Sequence, residues 1–234
     1  MSSLESAPIL VVAALSHELK QLRREAHSGL ALLETGEGVA NAERRLEAWL
    51  ERQSPRAVLS IGFAGALSSA LHVGDLVVAK LVHGAAAAPD RELLAAASRI
   101  GLNTPVRFGT ALTSDVILWK ATEKHIRANS LGADEIGFVD MESTAIAGVC
   151  ARRRVPFLIV RSITDLFDED LPLDFNLCRD RDGRVSPGKV MKAALLKPGA
   201  ITGLLELRKR SELCADRMAD FVRKLTPLIS AFCA

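Results

Sequence analysis

Residues 137–165, GFVDMESTAIAGVCARRRVPFLIVRSITD, place two acids, Asp140 and Glu142, among apolar neighbours and end on a third, Asp165. Taking a carboxylate out of water costs several kcal/mol unless it is paired or recruited for chemistry. Capping with solvent exposure is one account of these acids; a catalytic pocket that handles protons is the other. Asp165 favours the second, because four apolar residues, 157–160, precede it in a strand that should be central. Glu18 follows the apolar run 9–15 by three residues, although a lone glutamate there reads by default as part of a surface helix.

Two glycine patterns stand beside the acids. GFAGAL (residues 62–67) brings bare backbone to a strand end, which suits close approach to a sugar or an anion, although a tight turn needs only one of its glycines. TGEGVAN (35–41) holds Gly-x-Gly between a strand and a helix, but it lacks the third glycine and the acid of a dinucleotide site. Its glycines are expected to serve a turn beside the site, and no cofactor is expected. His17, His72, His83 and His125 share no spacing pattern, and no Ser-His-Asp order stands out. Cys150, Cys178, Cys214 and Cys233 form no CxxC or Cys/His ligand set, so no metal is expected. Cys150 reads as a small core residue.

Apolar runs at 9–15, 29–35, 57–65, 73–82 and 155–164 alternate with amphipathic segments at 16–26, 36–53, 91–100 and 119–129. Uninterrupted apolar strands separated by helices predict an α/β fold, a single domain with a mostly parallel mixed sheet covered on both faces. Ligands of such sheets bind beyond the carboxyl ends of strands. Glu18, Gly62–Gly65, residues 113–115 and Asp165 all fall at such places, so a site is expected on that edge. After Asp165 the alternation stops. Residues 168–205 read as an inserted loop and helix, long enough for a lid or rim, and 201–233 as a helical C-terminal region. Leu204, Leu205, Leu207, Leu213, Met218, Phe221 and Leu225 recur there at helical intervals, as core packing or as the border of a pocket.

With 234 residues, 49% hydrophobic and 25% charged, the chain suits one large domain. A formal net charge of +2 gives no case for nucleic acid. Arg152–Arg154 and Arg208–Arg210 read as solvated helix ends, the first fitting a helix C-terminus. Residues 57–74 carry no charge but are broken by Gly62, Gly65, Ser68, Ser69 and His72, so no membrane span is expected. A cytoplasmic setting fits the cysteine usage.

IGFAGALSSALHVGDLVVA, GTALTSD, DMESTAIAGVC and VPFLIVRSITD, in this order, resemble the nucleoside phosphorylase and nucleosidase superfamily over residues 8–168. The branch with methylthioadenosine/S-adenosylhomocysteine nucleosidases is the nearest broad match. The resemblance implies that Asp165 gives or shares a proton with N7 of a purine, which calls for a carboxyl kept partly protonated in a dry site. It implies that Glu142 accepts hydrogen bonds from the ribose hydroxyls, that Met141 packs on the sugar, and that Glu18 orients and deprotonates water. Ile117, Leu118 and Phe138 would line the base pocket, and Gly62, Phe63 and Ala64 would lie against the substrate. Phe63 stands where nucleosidases often carry serine, a departure that bears on the placement of water or sugar.

Phosphorylases of the family hold phosphate with arginines just before the glycine turn and near the first strand. Here Ser60 and Ile61 precede Gly62, and Glu18 occupies the first-strand loop, so water is expected as co-substrate over phosphate. The loop KLVHGAAAAPD is shorter than the one that closes over the 5′ substituent in the methylthioadenosine enzymes. Together with DMES, DEDLPLDF and LLELRKR, it is similar to the hopanoid-biosynthesis group that removes adenine from adenosylhopane. Methylthioadenosine, S-adenosylhomocysteine, futalosine or another purine nucleoside remain alternatives, as does a non-catalytic nucleoside-binding protein. The family also implies a homo-oligomer, a dimer in particular.

Overall fold

The computed structural model describes residues 7–24, 29–180 and 183–232. Strands β1 (Ile9–Ala13), β2 (Leu30–Glu34), β3 (Ala57–Ala66), β4 (Leu76–Val82), β5 (Val106–Thr113), β6 (Gly137–Asp140) and β7 (Phe157–Asp165) form one sheet. Its order is β2-β1-β3-β6-β5-β4-β7, and β3 also pairs with β7, so the last five strands close into a ring. Only β3–β6 and β4–β7 are antiparallel, which makes the sheet mixed and mostly parallel.

Helices α1 (Lys20–Arg24), α2 (Val39–Leu50), α3 (Arg91–Ser98), α4 (Ala121–Ala128), α5 (Ser143–Arg153), α6 (Pro187–Leu196) and α7 (Ala200–Phe232) surround it. Alternate strand residues feed two cores, as the two-residue period of a strand requires. Ile9, Val11, Leu59, Ile61 and Val160 pack with Met218, Phe221, Val222 and Leu225 of α7. Leu10, Val12, Val58 and Ile159 pack with Leu46 of α2 and with Ile146, Val149 and Cys150 of α5. Burial pushes the Cys150 thiol up to about 12, so it is an inert core group. Arg152 and Arg153, in the last turn of α5, pair with Glu43, Glu47 and Glu51, on and just beyond α2.

Two boundaries differ from the sequence reading. The helix expected at 16–26 is a turn followed by α1, because the Glu18 carboxylate accepts the Leu15 N–H and folds the chain back; residues 25 and 26 lie outside the described residues. The glycines of GFAGAL stand inside β3 and not in a turn after it, because β3 continues along β7 through a bulge at Ala64/Gly65 and reaches β6. The last helix runs on to Phe232, through Pro227; Cys233 is outside the described residues. In the insertion, a 3-10 helix (Phe175–Cys178) precedes α6.

Candidate functional site

Glu18 is fixed by its neighbours' backbone. One carboxylate oxygen accepts from Leu15 N–H at 2.7 Å and the other from Phe63 N–H at 2.9 Å. Burial still dominates, pushing its pKa up to about 7 against those two hydrogen bonds and the nearby Arg161. The carboxylate lies over Gly62, where a Cβ would stand 3.1 Å from Glu18 Oε1. Three residues on, a Cβ on Gly65 would stand 2.9 Å from Asp165 Oδ2. Each glycine of the motif therefore makes room for a different acid.

Asp165 has a partner that the sequence did not announce. Lys124, on α4, places Nζ 2.5 Å from Asp165 Oδ2 and donates to the Leu166 carbonyl at 2.6 Å and the Glu169 carbonyl at 3.0 Å. These three acceptors match the three N–H donors of an ammonium group. Asp165 thus has a buried salt-bridge partner, where the sequence reading placed only a dry site around the carboxyl. Thr164 Oγ1 donates to Asp165 Oδ1 at 3.0 Å. The turn supplying the carbonyls is pinned by the Glu169 carboxylate, which takes the Leu166 N–H and both bonds from Arg210 Nη1 of α7.

The two acids of DMES separate into different kinds. Asp140 is buried and structural: it accepts from Arg161 Nε at 2.8 Å, from Ser143 Oγ and from the Ser143 N–H at the start of α5. Glu142 keeps an edge toward the cleft, and its carboxylate accepts the Gly38 N–H at 2.8 Å. Gly38, at φ 89°, and Gly36, at φ 82°, take the positive-φ turn expected of TGEGVAN. Burial, then the Asp140 charge, raise Glu142 to about 8. Between Glu18 and Glu142 lies a cavity of about 10 Å³, also lined by Ser60, Gly62, Thr35 and Arg161. That is the volume needed for a single water.

Of the other expected residues, Ile117 and Leu118 are half-buried next to the insertion. Asn176 of the 3-10 helix clasps Ile117 by both its N–H and its carbonyl, each at 2.9 Å. Met141 is half-buried, with Arg179 Nη2 at 3.2 Å from its sulfur. Phe63 lies at the cleft, 5.1 Å from the His17 ring, and Ala64 is buried in β3. Phe138 is corrected: it has no exposed surface and belongs to the core on the far side of β6. Its neighbour Val139, on the opposite face by strand alternation, comes 3.3 Å from a Cβ at Gly65, beside Asp165. Sequence reasoning also missed Lys124, which looks like any lysine of a charged helix, and Arg161, visible only as the arginine of RSITD.

A groove of about 700 Å³ opens next to His17 and Phe175 and runs along α7, lined by Leu204, Leu207, Arg208, Ser211 and Ala215. The helical stripe noted in the sequence therefore splits, with Met218, Phe221 and Leu225 in the core and Leu204 and Leu207 on this groove. No group of three or more His, Cys, Asp or Glu among the described residues is placed to hold a metal ion.

A family model described as the Phosphorylase superfamily matches residues 16–194. The chain is similar to the 5'-methylthioadenosine/S-adenosylhomocysteine nucleosidase of Bacillus cytotoxicus, at 27% identity over 183 residues, 69% of this chain and 78% of that one. It shares its fold with the methylthioadenosine/S-adenosylhomocysteine nucleosidase of Colwellia psychrerythraea, solved with adenine (TM-score 0.69, 18% identity, 96% of each chain). The futalosine hydrolase of Helicobacter pylori is similar to the same degree (TM-score 0.68, 17% identity, 95% of this chain and 98% of that one).

Proposed function

The chain belongs to the phosphorylase superfamily, and on that premise we propose that it hydrolyses the N-glycosidic bond of a purine nucleoside bearing a bulky apolar 5′ group, of the kind adenosylhopane carries. The observation that carries this reading is the pair of carboxyls, Glu18 and Asp165, each seated over a side-chain-free residue of one strand. Three residues of strand separate the two seats by roughly 10 Å. That spacing lets one acid address the sugar and the other the base.

Glu18, near 7, is matched to a general base at neutral pH. It takes a proton from a water in the small cavity, whose oxygen attacks C1′ as the C1′–N9 bond breaks. Glu142 receives the ribose hydroxyls, and Met141 packs against the sugar. The electron pair left on the purine is met at N7 by Asp165. The proton that reaches N7 comes from the Lys124–Asp165 pair, which regains one through the slightly exposed Asp165 carboxylate once the base has left, while Glu18 returns its proton to solvent. Ile117, Leu118 and Val139 flank the base.

Water is favoured over phosphate by the state of the arginines. Arg161 spends Nε on Asp140 and Nη1 on the Ser60 and Val160 carbonyls and Ser60 Oγ, while Nη2 reaches Ser143 Oγ. No free fork of donors remains there for a dianion.

The groove along α7 supports the bulky 5′ group, since it begins at His17 and Phe175 and offers Leu204 and Leu207 as apolar walls. A methylthioadenosine-like substrate is the second reading, favoured by the 27% identity to the Bacillus cytotoxicus enzyme. Adenine release should be followed for methylthioadenosine, S-adenosylhomocysteine and adenosines with long aliphatic 5′-thioethers, with and without phosphate. We expect phosphate-independent formation of free sugar and the highest kcat/KM on the long aliphatic series. Leu207→Glu should depress that series selectively. Phosphate dependence would overturn hydrolysis, and a preference for methylthioadenosine would overturn the bulky substituent.

A further inference from the structure

We propose that α6 and the start of α7 form a surface that docks this protein onto an anionic lipid bilayer. α6 buries Ala194, and packs the half-buried Val190 and Ala193, in a small cluster with Leu173, Ala200 and Leu204. Its other sides carry Met191 and Leu195 one turn apart, with Leu196 beside them, and these are 57%, 71% and 79% exposed. Across the Pro198-Gly199 corner, Ile201 and Leu205 continue the patch at 48% and 56%. Five large apolar side chains grouped on two consecutive helices mark an interaction surface, unlike apolar residues scattered singly.

The charge around the patch selects the partner. Residues 184–205 hold Arg184, Lys189, Lys192 and Lys197 and not one Asp or Glu, in a chain with 30 basic and 28 acidic residues overall. Further along α7, Glu206 pairs with Arg210 and Glu212 with Arg208, so the unopposed cationic stretch ends at Leu205. Lys189 and Lys197 donate to the Arg179 and Pro172 backbone carbonyls, so their charge meets no carboxylate there. Apolar knobs ringed by lysines are the pattern of a helix lying in a membrane interface, with leucines in the acyl boundary and ammonium groups at anionic headgroups. A second copy of the chain fits less well, because a two-fold contact through this patch would set cation against cation. No described helix is long and apolar enough to cross a membrane, so the contact is peripheral.

The surface adjoins the groove that begins at His17, one residue before Glu18. Leu204, Leu207 and Arg208, which line the groove, are on the same turns of α7 as Ile201 and Leu205. An apolar chain resident in a bilayer would meet the patch and the groove together. The docking proposal does not rest on the choice of nucleoside, since vesicle binding needs no substrate.

Co-sedimentation of the full chain with extruded vesicles tests it. Vesicles of phosphatidylcholine with about one third phosphatidylglycerol should carry the protein down, pure phosphatidylcholine should do so poorly, and high salt should release it. Leu195→Asp with Leu196→Asp should abolish binding. Lys→Gln at 189, 192 and 197 should weaken it by about fivefold per lysine, on the order of 100-fold together. Adenine release from a soluble nucleoside should stay at the wild-type rate in both variants. Failure to bind anionic vesicles, or binding that these changes leave intact, would overturn the proposal. So would a wild-type dimer in sedimentation velocity that the double Asp variant turns into monomer.

Discussion

Lys124 Nζ stands 2.5 Å from Asp165 Oδ2, with the lysine side chain wholly out of solvent. A buried ion pair depends on both members, since removing one strands the other's charge, at a cost of about 3–5 kcal/mol. Lys124→Met should therefore destabilise the fold in urea titrations, and adding Asp165→Asn should recover much of the loss. Neither change should rescue catalysis. Each single variant should lose roughly 10²–10⁴-fold in turnover, with Asp165→Asn still binding a nucleoside analogue. Near wild-type turnover by Lys124→Met would remove the lysine from proton delivery.

The pH dependence of kcat/KM should report Glu18. A base near 7 must lose its proton to act, so activity should rise with pH through about 7, overlapped by Glu142 near 8. Glu18→Gln should abolish most turnover and, in whatever rate remains, erase the lower limb. A limb unchanged in that variant would assign it to another group.

Stability should run the other way. Glu18 and Glu142 keep protons in the folded chain at pH values where the unfolded chain, near 4.5, has shed them. Stability from these groups is thus full below 4.5 and is lost as pH climbs to about 7–8. Glu18 alone accounts for roughly 3 kcal/mol. His17, lowered by burial, opposes this below its ordinary value of 6.5. Urea midpoints at pH 5.5 and 8.5 should show the folded chain stronger at the lower value, with a flatter slope in Glu18→Gln. Equal slopes in the two proteins would contradict the raised value.

Gly65→Ala and Gly62→Ala test the seating of the acids. The added methyl would press Asp165 Oδ2 in the first and Glu18 Oε1 in the second. Displacing a reacting group by about 1 Å costs on the order of 10²-fold in rate. Both variants should lose kcat far more than they lose melting temperature. Gly188→Ala, where a Cβ meets nothing within 4 Å, should be silent and serves as the control.

The sequence alone determined the parts that follow from local pattern. Apolar runs such as 157–160, buried on both faces of a sheet, can be little else than central strands. DMES, GFAGAL and RSITD named segments that come together, with Glu142 and Asp165 among them, and Glu18 stood out only by its place after the first apolar run. What local pattern could not hold were relationships between distant residues. That Gly62 and Gly65 lie within β3 under two different acids depends on β7 continuing beside them through a bulge. That Asp140 caps α5 while Glu142 faces the cleft depends on Arg161, 21 residues on, arriving to neutralise the first. That Val139 and not Phe138 lies beside Gly65, where Asp165 is seated, was settled by which face of β6 the core claimed. Lys124 became Asp165's partner only when α4 packed over the end of β7: a charge is interpretable only once burial decides what it touches, and burial is a property of the assembled fold.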